Sequence, residues 1–187
     1  MKLDQTKPGK VYIIGAGPGD PGLITLRAVS VLRLADVVIY DNLVNEELLK
    51  YAPPGARFIY AGKQGGDHTL SQDQINAHLA QEALKGHTVA RLKGGDPFIF
   101  GRGGEEAEVL VEHGVPFEVI PGVTSAIAVP AYAGIPLTHR GLTSTVAFIT
   151  GHEDPTKEKS DIDWQALCGI GTLVFLMGVK NLEQITE

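Results

Sequence analysis

Five charged side chains, Asp20, Asp41, Lys63, Asp96 and Arg102, each follow a short β-rich run. In an open parallel sheet, ligands bind beyond the carboxyl ends of the strands, so these five are expected to converge on one crevice holding both acids and bases. Any one of them alone is more often a surface charge or a helix cap. Five at equivalent strand ends instead mark a site that can bind an anionic ligand and move protons.

Three glycine loops stand at the same strand ends. The first, Gly15-Ala16-Gly17-Pro18-Gly19-Asp20-Pro21-Gly22, lies between a strand and a helix, where a dinucleotide fold holds pyrophosphate. It fails that pattern, because Asp20 takes the third glycine's place and Pro18 has no amide to donate. Asp41, at the end of the second strand, would hold the ribose in such a fold, and the failed loop argues against that role. The second loop begins Gly62-Lys63, but Arg57 stands where a phosphate-binding loop needs glycine and Gln64 where it needs Ser or Thr, so no nucleoside triphosphate is indicated. The third runs from Lys93 to Gly104. Gly94 and Gly95 admit close backbone approach, and their carbonyl oxygens suit a cationic sulfonium better than a phosphate. Phe98, Ile99 and Phe100 are apolar residues in an otherwise polar loop, so they call for a partner surface or core packing.

The elements that must position these loops are legible as alternating strands and helices. Strands are predicted at 11–14, 37–40, 57–60, 88–92 and 116–120, and helices at 25–34, 71–86 and 105–113. The helix opening at Ser71 carries a capping box with Gln74 and stops at Gly86. The first helix is expected to mark its faces with Leu26, Val29 and Leu32 or Arg33. This predicts an α/β fold whose first domain, about 1–120, holds a mostly parallel sheet. Pro121-Gly122 is read as a boundary, followed by the small-residue stretch Thr124–Ala133. Residues 121–187 contain only two further strands, 146–150 and 172–177, and two strands make a poor independent domain. The second domain is therefore expected to be partial.

The chain has 187 residues, 43% of them hydrophobic, which is enough for a substantial core. Its formal net charge of −6 argues against a nucleic-acid partner, since phosphate neutralisation needs a basic surface. An anionic ligand must then meet a local basic pocket. One cysteine, Cys168, excludes an intramolecular disulfide, and no Cys/His spacing suits a metal. With no signal-peptide core and no run of about 20 apolar residues, a cytoplasmic protein without a membrane partner is expected.

The segment 11–21 with Leu26-Arg27-Ala28 resembles the opening motif of the tetrapyrrole methylases, a family that includes precorrin methylases and diphthine synthase. Tyr40-Asp41-Asn42-Leu43-Val44, Gly62-Lys63, Arg91 through Glu106, and Gly134 through Arg140 resemble more narrowly the branch that methylates uroporphyrinogen III. The resemblance runs from about Lys10 to the end of the chain. It implies two α/β domains with S-adenosyl-L-methionine bound between them, and a homodimer. Pro18, Gly94, Gly95, Asp96, Ile99, Thr124, Ser125 and Met177 match cofactor-binding positions. Asp41 matches the proposed proton acceptor and Lys63 the proposed proton donor. Gln64 stands where family members often carry Arg.

The implied reaction moves methyl groups from a sulfonium to C2 and C7 of uroporphyrinogen III, through precorrin-1 to precorrin-2. The sulfonium is already a good leaving group, so the protein's share is positioning, a dry pocket and control of a proton. The substrate's carboxylates require a focused cationic rim, expected from Lys63, Arg102, His139 and Arg140, with Lys93 a weaker candidate. Two rivals remain open at this stage: a sibling methylase acting on a later corrin precursor, and a non-catalytic tetrapyrrole- or nucleoside-binding fragment.

Overall fold

The β-branched, apolar runs form strands where their composition demands it. The computed structural model describes residues 8–62, 70–153 and 159–186. These fall into two compact units, Met1–Ser125 and Ala126–Glu187. In the first, β1 (Val11–Gly15), β2 (Val37–Tyr40), β3 (Arg57–Tyr60), β4 (Val89–Lys93) and β5 (Phe117–Ile120) make one sheet in the order β3-β2-β4-β1-β5. Every neighbouring pair is parallel. The chain moves outward through β2 and β3, then returns to insert β4 between β2 and β1. The sheet therefore reverses its strand order at its centre, beside β1 and β4, and the loops after these strands lie next to one another.

Parallel strands are covered on both faces, which is why they read as nearly continuous apolar runs. On one face Ile14, Val38, Ala90 and Leu92 pack with Leu48 and with Ala28, Val31 and Leu32 of α1 (Leu26–Leu32). On the other, Val11, Ile13, Val37, Ile39 and Val89 pack with Ile75, Leu79 and Ala83 of α2 (Gln72–Leu84) and Leu110 of α3 (Gly103–Glu112). Each such fully buried aliphatic side chain stabilises the fold by roughly 1.5–3 kcal/mol.

The helix ends follow local rules. Ser71 and Gln74 form the reciprocal capping box, and Gly86, at φ 91°, ends the following turn. Two expectations need correction. The face of α1 that packs is Ala28–Val31–Leu32: Leu32 is buried as expected, while Leu26, the first residue after the Thr25 N-cap, is 88% exposed and Val29 is only partly buried. Helix α3 begins at Gly103, two residues before the expected Glu105. A Cβ at Gly103 would lie 2.6 Å from the Pro97 carbonyl oxygen, so only glycine lets the first turn close there.

Glu82, buried on α2, ties that helix to the start of β3 and to the turn before β4. Its carboxylate accepts from Lys85 Nζ at 2.8 Å, lies 2.8 Å from His87 Nδ1 and pairs with Arg57. Burial raises its pKa, but the bonds from Lys85, His87 and Arg57 outweigh that and hold it down at about 2. A depressed carboxylate contributes stability that is complete above its unfolded pKa, near 4.5, and is lost as pH falls through its folded value. Glu82→Gln should therefore lower stability at neutral pH, and its unfolding curve should converge on that of the parent protein as pH falls from about 4.5 to about 2. Parallel curves across that window would show that Glu82 is not the titrating group.

In the second unit, α4 (Ser125–Tyr132) leads to the parallel pair β6 (Val146–Thr150) and β7 (Thr172–Leu176), with the short helices α5 (Trp164–Leu167) and α6 (Leu182–Thr186) around them. Trp164 stacks on Phe175 with ring centroids 6.0 Å apart. Among the described residues no helix is long and apolar enough to cross a membrane.

Candidate functional site

The loops after β1 and β4 are locked backbone to backbone, and a side chain ties the loop after β5 to them. Gly17 N donates to Gly95 O at 3.2 Å, Gly95 N donates to Gly17 O at 2.7 Å, and Ala16 N donates to Lys93 O at 2.7 Å. Asp96 joins the third loop, since its Oδ2 accepts from Gly122 N at 3.0 Å while Oδ1 accepts from Phe98 N at 2.8 Å. A Cβ on Gly122 would lie 2.2 Å from Gly95 O, and one on Gly15 would lie 2.5 Å from the Gly122 Cα. Gly15 and Gly122 are thus required by the approach of one loop to another, before any ligand is considered.

Of the expected cofactor residues, Gly94, Gly95 and Asp96 lie in the loop after β4 with the half-buried Ile99, Pro18 follows the locked Gly17 after β1, and Thr124 and Ser125 follow β5. Thr124 Cα lies 3.8 Å from where a Gly95 Cβ would stand. Two of these glycines have steric or hydrogen-bonding reasons within the protein. Gly94 is glycine because a Cβ would meet Leu43 Cβ at 2.5 Å, and the Gly95 carbonyl is turned onto Gly17. The lock also bears on the dinucleotide reading. The amides of Ala16 and Gly17 are already given to carbonyls of the β4 loop, and Pro18 has none, so the first loop offers no pyrophosphate cradle at these positions. Met177, the remaining cofactor candidate, belongs to the second unit. It directly follows β7 at φ 59°, a strained value for a non-glycine residue, and is 56% exposed.

Asp41 follows β2 on the face of the sheet that packs against α2 and α3. Its Oδ1 accepts from Leu43 N at 3.1 Å and its Oδ2 from Arg91 Nη2 at 3.2 Å, and its side chain is 19% exposed. A carboxylate held from both oxygens and still open to the crevice is suited to accept a proton. Lys63, its expected partner, lies outside the described residues.

Behind Asp41 is a buried charge cluster that the sequence reading missed. Glu106 on α3, fully buried, accepts through Oε1 from Arg91 Nε at 3.0 Å, Lys93 Nζ at 2.7 Å and Gln72 Nε2 at 3.3 Å. The strand itself carried the signal. In Val89-Ala90-Arg91-Leu92-Lys93, two cations sit two residues apart in a strand covered on both faces, so they share one buried face and require an anion there. Lys93 is accordingly corrected as a candidate for the substrate rim. It is buried against Glu106, and burial first, then the Arg91 charge, pushes its ammonium pKa down.

Of the other rim candidates, Arg102 is exposed and forms a fork to Glu105, with Nε and Nη2 donating at 2.8 and 2.7 Å. The hydrogen bonds of the fork raise the Arg102 pKa and lower that of Glu105. His139 and Arg140 lie exposed in the second unit, where His139 Nδ1 is 2.9 Å from the Arg140 carbonyl oxygen. Asp20, one of the five strand-end charges, caps the turn at Pro21–Leu23 by accepting from Gly22 N at 2.8 Å. Among the described residues no group of three His, Cys, Asp or Glu side chains could hold a metal ion.

A parallel α/β sheet that reverses its strand order between locked glycine loops, with Asp41 at a neighbouring strand end, has the architecture of a crevice-binding α/β protein whose first loop lacks the dinucleotide cradle. The chain belongs to the tetrapyrrole (corrin/porphyrin) methylase family, whose model matches residues 10–187. It is 58% identical over 180 residues to the S-adenosyl-L-methionine-dependent uroporphyrinogen III methyltransferase of Methanosarcina barkeri, covering 96% of this chain and 71% of that one. Its structure matches that of the Thermus thermophilus uroporphyrin-III C-methyltransferase complexed with S-adenosylhomocysteine, with a TM-score of 0.76 and 46% identity over 92% of this chain and 72% of that chain. A cobalt precorrin-4 methyltransferase matches with a TM-score of 0.80 but 32% identity, over 94% and 72%. The expected α/β methylase fold with a five-stranded parallel sheet is therefore observed.

Proposed function

We propose that this chain catalyses S-adenosyl-L-methionine-dependent C-methylation of uroporphyrinogen III at C2 and C7, giving precorrin-2 through precorrin-1. The observation that carries this reading is the 58% identity to a uroporphyrinogen III methyltransferase across nearly the whole chain. The higher TM-score of the cobalt precorrin-4 enzyme reflects a fold the family shares, whereas substrate choice is carried by side chains.

A sulfonium ligand is favoured over a phosphate at these loops, since the Ala16 and Gly17 amides are engaged and Pro18 has none to donate. Pro18, Gly94, Gly95, Asp96, Ile99, Thr124, Ser125 and Met177 are assigned to hold S-adenosylmethionine, which when bound supplies an electrophilic methyl group on a good leaving group. Asp41 takes the proton released from the alkylated pyrrole carbon, and Lys63 donates a proton or pairs with a substrate carboxylate. Arg102, His139 and Arg140 meet the acetate and propionate groups. The exposed Arg102–Glu105 pair contributes little to stability, so Arg102 can exchange Glu105 for a substrate carboxylate at small cost. We assign the protein to a homodimer, supported by the exposure of Phe98, Phe100, Ile127, Val129 and Tyr132.

The test is methyl transfer from labelled S-adenosylmethionine to uroporphyrinogen III, with product mass read for two added methyl groups, alongside calorimetry of S-adenosylhomocysteine without NAD or metal. Two methyl additions and cofactor-product binding are expected. Transfer only to a later corrin precursor would move the chain to the sibling reading, and binding without any transfer would favour a non-catalytic module. Light scattering on the same preparation should give a dimer at micromolar concentration, and a monomer would remove that assignment.

A further inference from the structure

Arg91 is 3% exposed and Glu106 is fully buried, yet the two form a chain of contacts that ends on Asp41. Each branch of the Arg91 guanidinium is engaged: Nε with Glu106 Oε1 at 3.0 Å, Nη1 with the Leu92 carbonyl at 3.2 Å and Nη2 with Asp41 Oδ2 at 3.2 Å. Together with the Leu43 amide on Oδ1, this fixes the Asp41 carboxylate from both oxygens. The bonding of Glu106 is lopsided, for Oε1 takes three donors while the equally buried Oε2 has no partner among the described residues. Desolvating the charges offsets much of their attraction, so a buried ion cluster of this kind is weak evidence for a role in stability alone.

We propose that Arg91 is a positioning residue for Asp41, anchored by Glu106, so that the two buried side chains act on methyl transfer through the orientation of the Asp41 carboxylate and the charge around it. The inference rests on the reading of Asp41 as proton acceptor. The charged groups around Asp41 among the described residues are Arg91 and Lys93 from β4 and Glu106 from α3; α2 contributes the neutral Gln72 and Asn76, which bond to each other at 2.9 Å. Lys63, after β3, lies outside the described residues. Two cations and two anions leave the group neutral. Removing one member therefore changes the field at Asp41 with a sign set by which member is lost.

The experiment is the pH dependence of kcat/KM for methyl transfer in Arg91→Gln, Glu106→Gln and the double variant, with S-adenosylhomocysteine affinity and thermal melting measured on each. Loss of the Arg91 cation should move the acidic limb to higher pH. Loss of the Glu106 anion leaves two cations facing Asp41 and should move that limb to lower pH. Both single variants should lower kcat on the order of 10- to 100-fold, the scale of lost orientation, with S-adenosylhomocysteine affinity unchanged. The double variant removes one charge of each sign, so its limb should return toward the parent position while kcat stays low. If Glu106→Gln fails to fold, Arg91→Gln and the double variant carry the same comparison. Limbs that stay in place, or move in the same direction in both single variants, would overturn the positioning role while leaving Asp41 as acceptor. Full turnover in Asp41→Asn would instead remove the acceptor reading, and the positioning role with it.

Discussion

Asp41→Asn should retain the fold and the affinity for S-adenosylhomocysteine while lowering methyl transfer by about 10²–10⁴-fold, the range of a general acid–base group. The variant is nearly isosteric, but it offers one side-chain oxygen where the structure has two donors to satisfy, Leu43 N and Arg91 Nη2. One of these must turn to water, which the partial exposure of the site permits, so the melting temperature should move by only a few degrees. The proton released after alkylation then has no carboxylate to receive it, and kcat falls. Single-turnover kinetics separate this from a binding defect, because a lost acceptor lowers kcat and kcat/KM together. A residue holding a ribose hydroxyl would behave oppositely and weaken nucleotide binding. Should Asp41→Asn keep full turnover, the acceptor assignment is wrong, and the methyltransferase reading stands on cofactor binding alone.

The second large effect is on stability. Glu106→Leu should lower the free energy of unfolding by about 3–5 kcal/mol, the cost of removing one partner from a buried ion pair. Leucine fills the volume, but it leaves Arg91 and Lys93 buried without their shared anion. The sign of the pH dependence follows from Lys93. Its pKa is lowered in the fold, chiefly by burial, so keeping it charged opposes folding below that value, and the penalty is relieved as pH rises and the proton leaves. Without Glu106 the penalty grows. The variant should therefore recover stability toward alkaline pH more steeply than the parent protein, and Lys93→Met in the same background should restore part of the loss. Urea denaturation with an unchanged m-value is the measurement. A loss below about 1 kcal/mol at neutral pH would show that the cluster is not buried in solution.

What the sequence by itself determined are the features set by short-range chemistry. Strand positions followed from β-branched apolar runs, the start of α2 from the Ser71–Gln74 capping box, and its end from Gly86, each decided within a few residues of chain. The family resemblance was equally legible, because its motifs are contiguous. Asp41 was singled out because a carboxylate at a parallel strand's end is a local pattern. The tertiary structure decided what depends on strand order. Inserting β4 between β2 and β1 is what sets Arg91 beside both Asp41 and Glu106, residues 50 and 15 positions away in the chain. The same insertion seats the β4 loop beside the β1 and β5 loops, where Gly15, Gly17, Gly95 and Gly122 approach one another closely and Asp96 clasps the Gly122 amide. It also placed Lys93 inside the protein rather than on its rim. Local propensity reports which face of a strand a side chain occupies. Which residue waits on that face is settled only when distant segments pack, where a buried charge must find its partner.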